Sequence, residues 1–258
     1  MTKIFVISGC AVLLYMCGWF IAAQIRGRND IADVAWGLGF ILVAAVSLVD
    51  GDVYSPRGLL VSSLVLAWGV RLALHIHSRN RGKGEDPRYR KWREEWGKWF
   101  VLRSFLQVFM LQGILLLLVA VPIVFANTTP ATPLRWLDLL GLVVWLYGFI
   151  FEAIGDWQLL MFIRNPDNKG KLMTSGLWRY TRHPNYFGEV TLWWGIWLMT
   201  LALPGSWLTI IGPLTITFLI LKVSGIPMLE KPYEDRADFQ EYKRRTSAFF
   251  PLPPKGGI

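Results

Sequence analysis

The sequence predicts an all-α, polytopic membrane protein with seven transmembrane helices. Two observations carry this. The 258 residues are 53% hydrophobic and include 14 Trp, with a mean hydropathy of +0.39, more apolar and aromatic than soluble domains of this length. The chain also holds several runs of about twenty residues almost without charge, the length that crosses a bilayer as a helix.

The predicted helices cover 4–23, 31–49, 58–78, 101–125, 136–161, 186–203 and 206–224. The first, Ile4 to Ala23, has no small-residue cleavage site and reads as a retained helix. It carries both cysteines, Cys10 and Cys17. Seven residues apart on one helix they cannot bridge, and they read as buried thiols. Pro122 is expected to kink or end the fourth helix, and Pro204-Gly205 to turn the chain between the last two. No internal repeat or linker divides the chain, so residues 1–258 read as one domain.

Charge placement supports the topology. The net charge is +9, and most Lys and Arg fall in segments 24–30, 78–99, 162–185 and the tail. With seven crossings these share one side, which puts the amino terminus outside and the carboxy terminus in the cytoplasm. The basic balance therefore reflects topology, and no nucleic-acid-binding module appears.

Ionisable groups within apolar helices are costly and mark candidate sites. Asp30 and Asp33 open the second helix, with Trp36 and Gly37 a turn further in. Trp68, Arg71, His75 and Arg79 form a stripe on the third, and Glu152 and Asp156 lie one turn apart on the fifth. A purely structural alternative pairs them, Asp33 with Arg71 for example. The segment Arg79-Asn80-Arg81-Gly82-Lys83-Gly84-Glu85-Asp86 combines glycines for close backbone approach, cations for phosphate and carboxylates for ribose hydroxyls. Lys91 to Trp99 reads as an interfacial amphipathic helix. The tail from Leu229 through Tyr242 to Arg245 reads as a short charged helix able to close over the site.

The densest cluster is Gly176 to Glu189, which holds Arg179, Arg182, His183, Asn185 and Tyr186. Pro184 suits a helix start, where free N–H groups and the dipole favour an anion, phosphate above all. Asn185, Glu189 and Trp193 then recur on one face. No zinc spacing, P-loop, serine–histidine–aspartate arrangement or Rossmann fingerprint is present, so no metal is expected.

Gly176-Leu177-Trp178, Arg182-His183-Pro184-Asn185-Tyr186-Phe187-Gly188-Glu189 and Trp193 resemble the C-terminal signature of the steroid 5α-reductase family, and Trp68-Gly69, Arg71-Leu72, His75-Ile76 and Glu85 to Tyr89 resemble its bacterial members. The likeness implies a seven-helix fold that holds NADPH in its cytoplasmic half and takes a 3-oxo-Δ4 steroid or related lipid enone from the bilayer. It implies cofactor contacts at Asn185, Glu189 and Trp193, with Lys171, Asp156, Arg164, Asn80 and Tyr242 at matching positions. Arg81, Asp86, Arg179, His183 and Tyr186 join them from the local reading. Where the family carries Gln-Glu for the substrate carbonyl this chain has Asn29-Asp30, and Trp68 stands for its partner tyrosine; with Trp36 these are the candidate substrate contacts. The proton donor stays open among Asp30, Asp33 and Tyr89. A buried, protonated Asp30 is one route to stabilising an enolate oxygen. The rival class is a membrane methyltransferase of the isoprenylcysteine or phospholipid type using S-adenosylmethionine, which carries a sulfonium and no phosphate. The cationic loops favour the polyanion.

Overall fold

The computed structural model describes residues 2–50 and 54–255. The described residues hold helices and no strand; one isolated bridge joins Thr181 and Ser247. Among the described residues six helical segments are long and apolar enough to cross a membrane. Their many exposed side chains, Leu14, Ile25, Leu74, Leu139 and Phe218 among them, suit a surface facing lipid tails. Cys10 belongs to this exposed class, contrary to the buried thiol expected.

The chain divides into two compact units, Met1–Arg135 with Thr200–Gly212, and Trp136–Met199 with Pro213–Ile258. In the first, α1 (Thr2–Arg26), α2 (Ile31–Val49) and α3 (Pro56–Asn80) are followed by the short polar α4 (Pro87–Trp96). Ser55 accepts from the Gly58 N–H with Pro56 at the first helical position, which starts α3 cleanly. The helices α2 and α3 cross where Gly37 meets Gly69; a Cβ on Gly69 would lie 2.6 Å from the Gly37 carbonyl. Phe40 fills the crossing, edge-on to both Trp36 and Trp68.

The expected helix over 101–125 is broken into α5 (Phe100–Arg103), a π-helical stretch Ser104–Met110, α6 (Leu111–Val119) and α7 (Val121–Thr128). Pro122 enters the first turn of α7, where its missing N–H costs nothing. Deeper in the unit Asn127 donates to Ala44 O, Ser47 Oγ and Ser62 Oγ, so its buried amide is satisfied.

The second unit is built on α8 (Trp136–Arg164) and α9 (Pro184–Thr200). Glycines recur every seventh residue on both, Gly141, Gly148 and Gly155 on α8 and Gly188 and Gly195 on α9. A Cβ on Gly188 would sit 2.4 Å from Glu152 N, and one on Gly148 would sit 2.5 Å from Leu192 N. The two backbones therefore touch along a glycine seam, the contact that small residues permit inside a membrane. The segment expected over 186–203 is α9, which starts at Pro184 and has 17 residues, about 26 Å at 1.5 Å per residue. It is not among the six candidate spans. Beyond α10 (Ile211–Phe218), α11 (Ile226–Glu230) and α12 (Ala237–Arg245) form the charged tail.

Candidate functional site

In the first unit, loop 81–86 folds back over the start of α2 and is held there by arginines. Arg28 grips both Asp30 oxygens, at 2.9 and 2.6 Å, and also donates to the carbonyls of Lys83 and Gly84. The Asp30 hydrogen bond strengthens the hold of Arg28 on its own proton. Arg93 donates to both Glu85 oxygens, and Glu85 Oε1 accepts from Asn29 N. Arg88 spans Asp86 and Asp33 at 3.0 and 3.1 Å. Asp86 also caps α4 by accepting from Arg88 N. Burial pushes the Asp86 carboxyl up, but Arg88 outweighs it and leaves the group below its usual range.

Asp33 thus takes Arg88 as a partner, where the purely structural alternative offered Arg71 as an example. Its other oxygen accepts from the Tyr89 hydroxyl at 2.8 Å. Three candidate catalytic residues therefore separate by role. Asp33 and Tyr89 meet, whereas Asp30, buried at 1% exposure, has both oxygens on Arg28. Asn29 is equally buried and donates to Ser104 Oγ in the π-helical stretch. Its own Oδ1 is sealed from solvent and accepts no hydrogen bond among the described residues.

A cleft of about 280 Å³ opens beside this network, lined by Asp30, Glu85 and Asp86 together with Arg79, Asn80, Lys83 and Arg90. Each lining carboxylate is engaged from outside the lining, by Arg28, Arg93 and Arg88 respectively. Among the described residues of this unit Arg79, Lys83 and Arg90 have no ion-pair partner, so the cleft presents net positive charge. Arg81 is exposed on the same loop. Trp36 and Trp68 lie deeper, linked through Phe40.

In the second unit the cluster gathers at the start of α9. Arg182 donates to Glu230 Oε1 at 2.8 Å and to the Thr246 carbonyl, and His183 Nε2 meets Glu230 Oε1 at 2.9 Å. Glu230 was not a candidate; its only sign in the sequence is a carboxylate at the end of an apolar run. Arg182 therefore serves as a buried tie between Glu230 and the tail. The His183 ring stacks on Tyr186 at 5.6 Å. Tyr242 donates to the Trp178 carbonyl, and burial raises its hydroxyl above the ordinary tyrosine value. The tail is stitched to the turn before α9 by Arg182 N to Ser247 O and Leu252 N to Tyr180 O.

Asn185 follows on α9 over Gly155 of α8. Its Oδ1 is sealed and accepts no hydrogen bond among the described residues. Asp156 and Trp193 are buried and Glu189 is half-buried, while Arg164, Lys171 and Arg179 are exposed. A second cleft, about 270 Å³, runs between Trp157, Gln158, Met161 and Met173.

A family described as "Protein of unknown function (DUF1295)" matches residues 19–246. The chain belongs to that family. Two curated relatives of this DUF1295 protein carry names with an activity. A probable O-methyltransferase of Ustilaginoidea virens is 38% identical over 53 residues, 20% of this chain and 18% of its own. The 3-oxo-5-alpha-steroid 4-dehydrogenase 1 of Mus musculus is 35% identical over 68 residues, 26% of each chain. The chain thus spans about a fifth to a quarter of each relative's length in these matches. No solved structure matches it.

Proposed function

We propose that this DUF1295 protein is a multi-pass membrane reductase that adds hydride from NADPH across the enone of a 3-oxo-Δ4 steroid or related lipid. The observation that carries the reading is the cleft where Lys83 and Arg90 have no ion-pair partner among the described residues while Asp30, Glu85 and Asp86 are each held by an arginine. Such a surface suits phosphate, which NADPH carries at three positions and a sulfonium methyl donor lacks. Its volume fits one ribose phosphate, and the glycine-bearing loop 81–84 allows close approach. Asn80 lines the same cleft, where its amide meets a ribose or phosphate oxygen. The match to the mouse steroid dehydrogenase adds to the reading.

When bound, the reduced nicotinamide supplies hydride to the β-carbon of the enone. The enolate oxygen that forms needs an O–H donor. Tyr89 takes that role by releasing Asp33 and turning its single hydroxyl hydrogen onto that oxygen, while Arg88 goes on compensating the Asp33 carboxylate. Asp30, pinned by Arg28, orients the loop and is no longer the acid of choice. Asn29, Trp36 and Trp68 shape the enone side of the pocket. The proposal takes these loops to be cytoplasmic, with α9 as a seventh crossing and the amino terminus outside, because most Lys and Arg fall in these loops.

The methyltransferase reading keeps one observation of its own, the 38% match to the fungal O-methyltransferase. The two separate in one experiment. Purified protein in lipid is given NADPH with a panel of 3-oxo-Δ4 steroids, or S-adenosylmethionine carrying a labelled methyl group. Enone-dependent loss of nicotinamide absorbance is the expected result. Methyl transfer without NADPH oxidation overturns the reductase.

A further inference from the structure

At Gly97 the backbone takes φ +47°, and the chain turns from the polar helix α4 into the apolar run that begins at Phe100. The side chains at this elbow change character within one turn. Lys98 and Arg103 are exposed, and below them Val101, Leu102, Leu106, Leu111 and Ile114 form an exposed apolar column. Lys98 Nζ lies 5.8 Å from the ring of Trp99, and the Arg103 guanidinium lies 6.0 Å from the ring of Trp96. Trp96 is itself stacked on Trp92 at 5.3 Å and 9°, so its plane is fixed. Neither cation has an ion-pair partner among the described residues; Glu95, the nearby acid, is taken by Lys91 at 3.6 Å, and Glu94 does not reach Lys98.

We propose that Lys98 and Arg103 form a binding site for the headgroup of an anionic phospholipid, whose acyl chains lie along the Leu102–Ile114 column. Two cations held over indole rings at the boundary between polar and apolar surface match a phosphate anchored to hydrocarbon. The apolar column selects the lipid over free phosphate, which makes no use of it.

The test is lipid retention by the full chain in native mass spectrometry, offered phosphatidylglycerol or phosphatidylcholine of equal acyl length. Two cations near an anionic headgroup are expected to favour phosphatidylglycerol roughly thirtyfold. The pair Lys98→Gln with Arg103→Gln should abolish that preference. Lys98→Arg with Arg103→Lys should keep it, as should Lys3→Gln, an exposed cation at the opposite end of α1 from Arg26. Equal retention of the two lipids by the unaltered chain overturns the site, as does a preference that survives the double glutamine change. Thermal stabilisation by inorganic phosphate equal to that by phosphatidylglycerol overturns the lipid assignment in favour of a free anion.

Discussion

Tyr89 donates its hydroxyl hydrogen to Asp33 at 2.8 Å, joining the start of α4 to the start of α2 across 56 positions of sequence. Arg88 holds the other Asp33 oxygen, so the carboxylate cannot swing away without abandoning a guanidinium. A buried hydroxyl positioned in this manner needs only to rotate its hydrogen off Asp33 to donate to a developing oxyanion. Tyr89→Phe is therefore expected to lower kcat for enone reduction by about 10²- to 10⁴-fold. Nucleotide affinity should stay within about threefold, because Tyr89 does not line the charged cleft. Steady-state rates paired with direct NADPH titration check both halves. A variant that keeps full turnover removes Tyr89 from the chemistry.

The cleft cations carry a second expectation. Lys83→Gln combined with Arg90→Gln removes two charges facing the ligand while leaving Arg28, Arg88 and Arg93 to hold the loop. Charge-assisted hydrogen bonds contribute about 1.5–3 kcal/mol each, so KM for NADPH should rise at least tenfold. kcat should change far less, and the preference for NADPH over NADH should narrow. Unchanged KM for both cofactors places the phosphates elsewhere.

How much of this was legible in the sequence differs by element. The apolar runs announce α1, α2, α3 and α8 because twenty uncharged residues have few other stable fates. Asp33 and Tyr89 were both candidates on residue type, yet their pairing was not. A stripe on a helix shows which side chains share a face, but not the path of loop 81–86, and that path decides that Arg88 reaches Asp33. The loop follows Arg28, whose bonds to two backbone carbonyls leave no side-chain pattern to read. Glu230 was invisible for a similar reason: its partners Arg182 and His183 lie 48 and 47 positions away. The seven-residue glycine spacing on α8 and α9 was present in the letters all along, and it marks the seam better than hydropathy does.

That seam gives a stability prediction. Gly148→Ala puts a methyl group 2.5 Å from Leu192 N and 2.6 Å from Gly188 O, both backbone atoms that cannot rotate away. The helices must part, at a cost of about 1–3 kcal/mol or more. Thermal unfolding in detergent should show a lower Tm for Gly148→Ala. Gly9→Ala, where a Cβ meets nothing within 4 Å, should not lower Tm, since Ala is the better helix former.

Glu230 supplies a third kind of test, because it compensates Arg182 in a site where both side chains are below a tenth exposed. Glu230→Ala leaves a buried guanidinium without its carboxylate, a change that costs about 3–5 kcal/mol. The tail that Arg182 ties through the Thr246 carbonyl should loosen first. Hydrogen exchange is the direct measurement: amides of Thr246 to Leu252 should exchange faster in Glu230→Ala than in the unaltered chain, while α8 amides keep their protection. Uniform exchange across both segments shows that Glu230 holds the whole unit and not the tail.

Asp86 makes the acid response of the first unit specific. Its carboxyl titrates below the ordinary aspartate value because Arg88 outweighs burial. A group with a depressed folded pKa contributes stability that is present above its unfolded value, about 3.9, and lost as pH falls through the folded value. Asp86→Asn keeps an oxygen to cap α4 but discards the charge. The variant should therefore melt below the unaltered chain near pH 7, and the gap should close as pH falls below about 4. Paired melting curves across that range decide it. A gap that stays constant down to the lowest pH assigns the effect to the cap, and the Arg88 charge then contributes nothing to holding the loop.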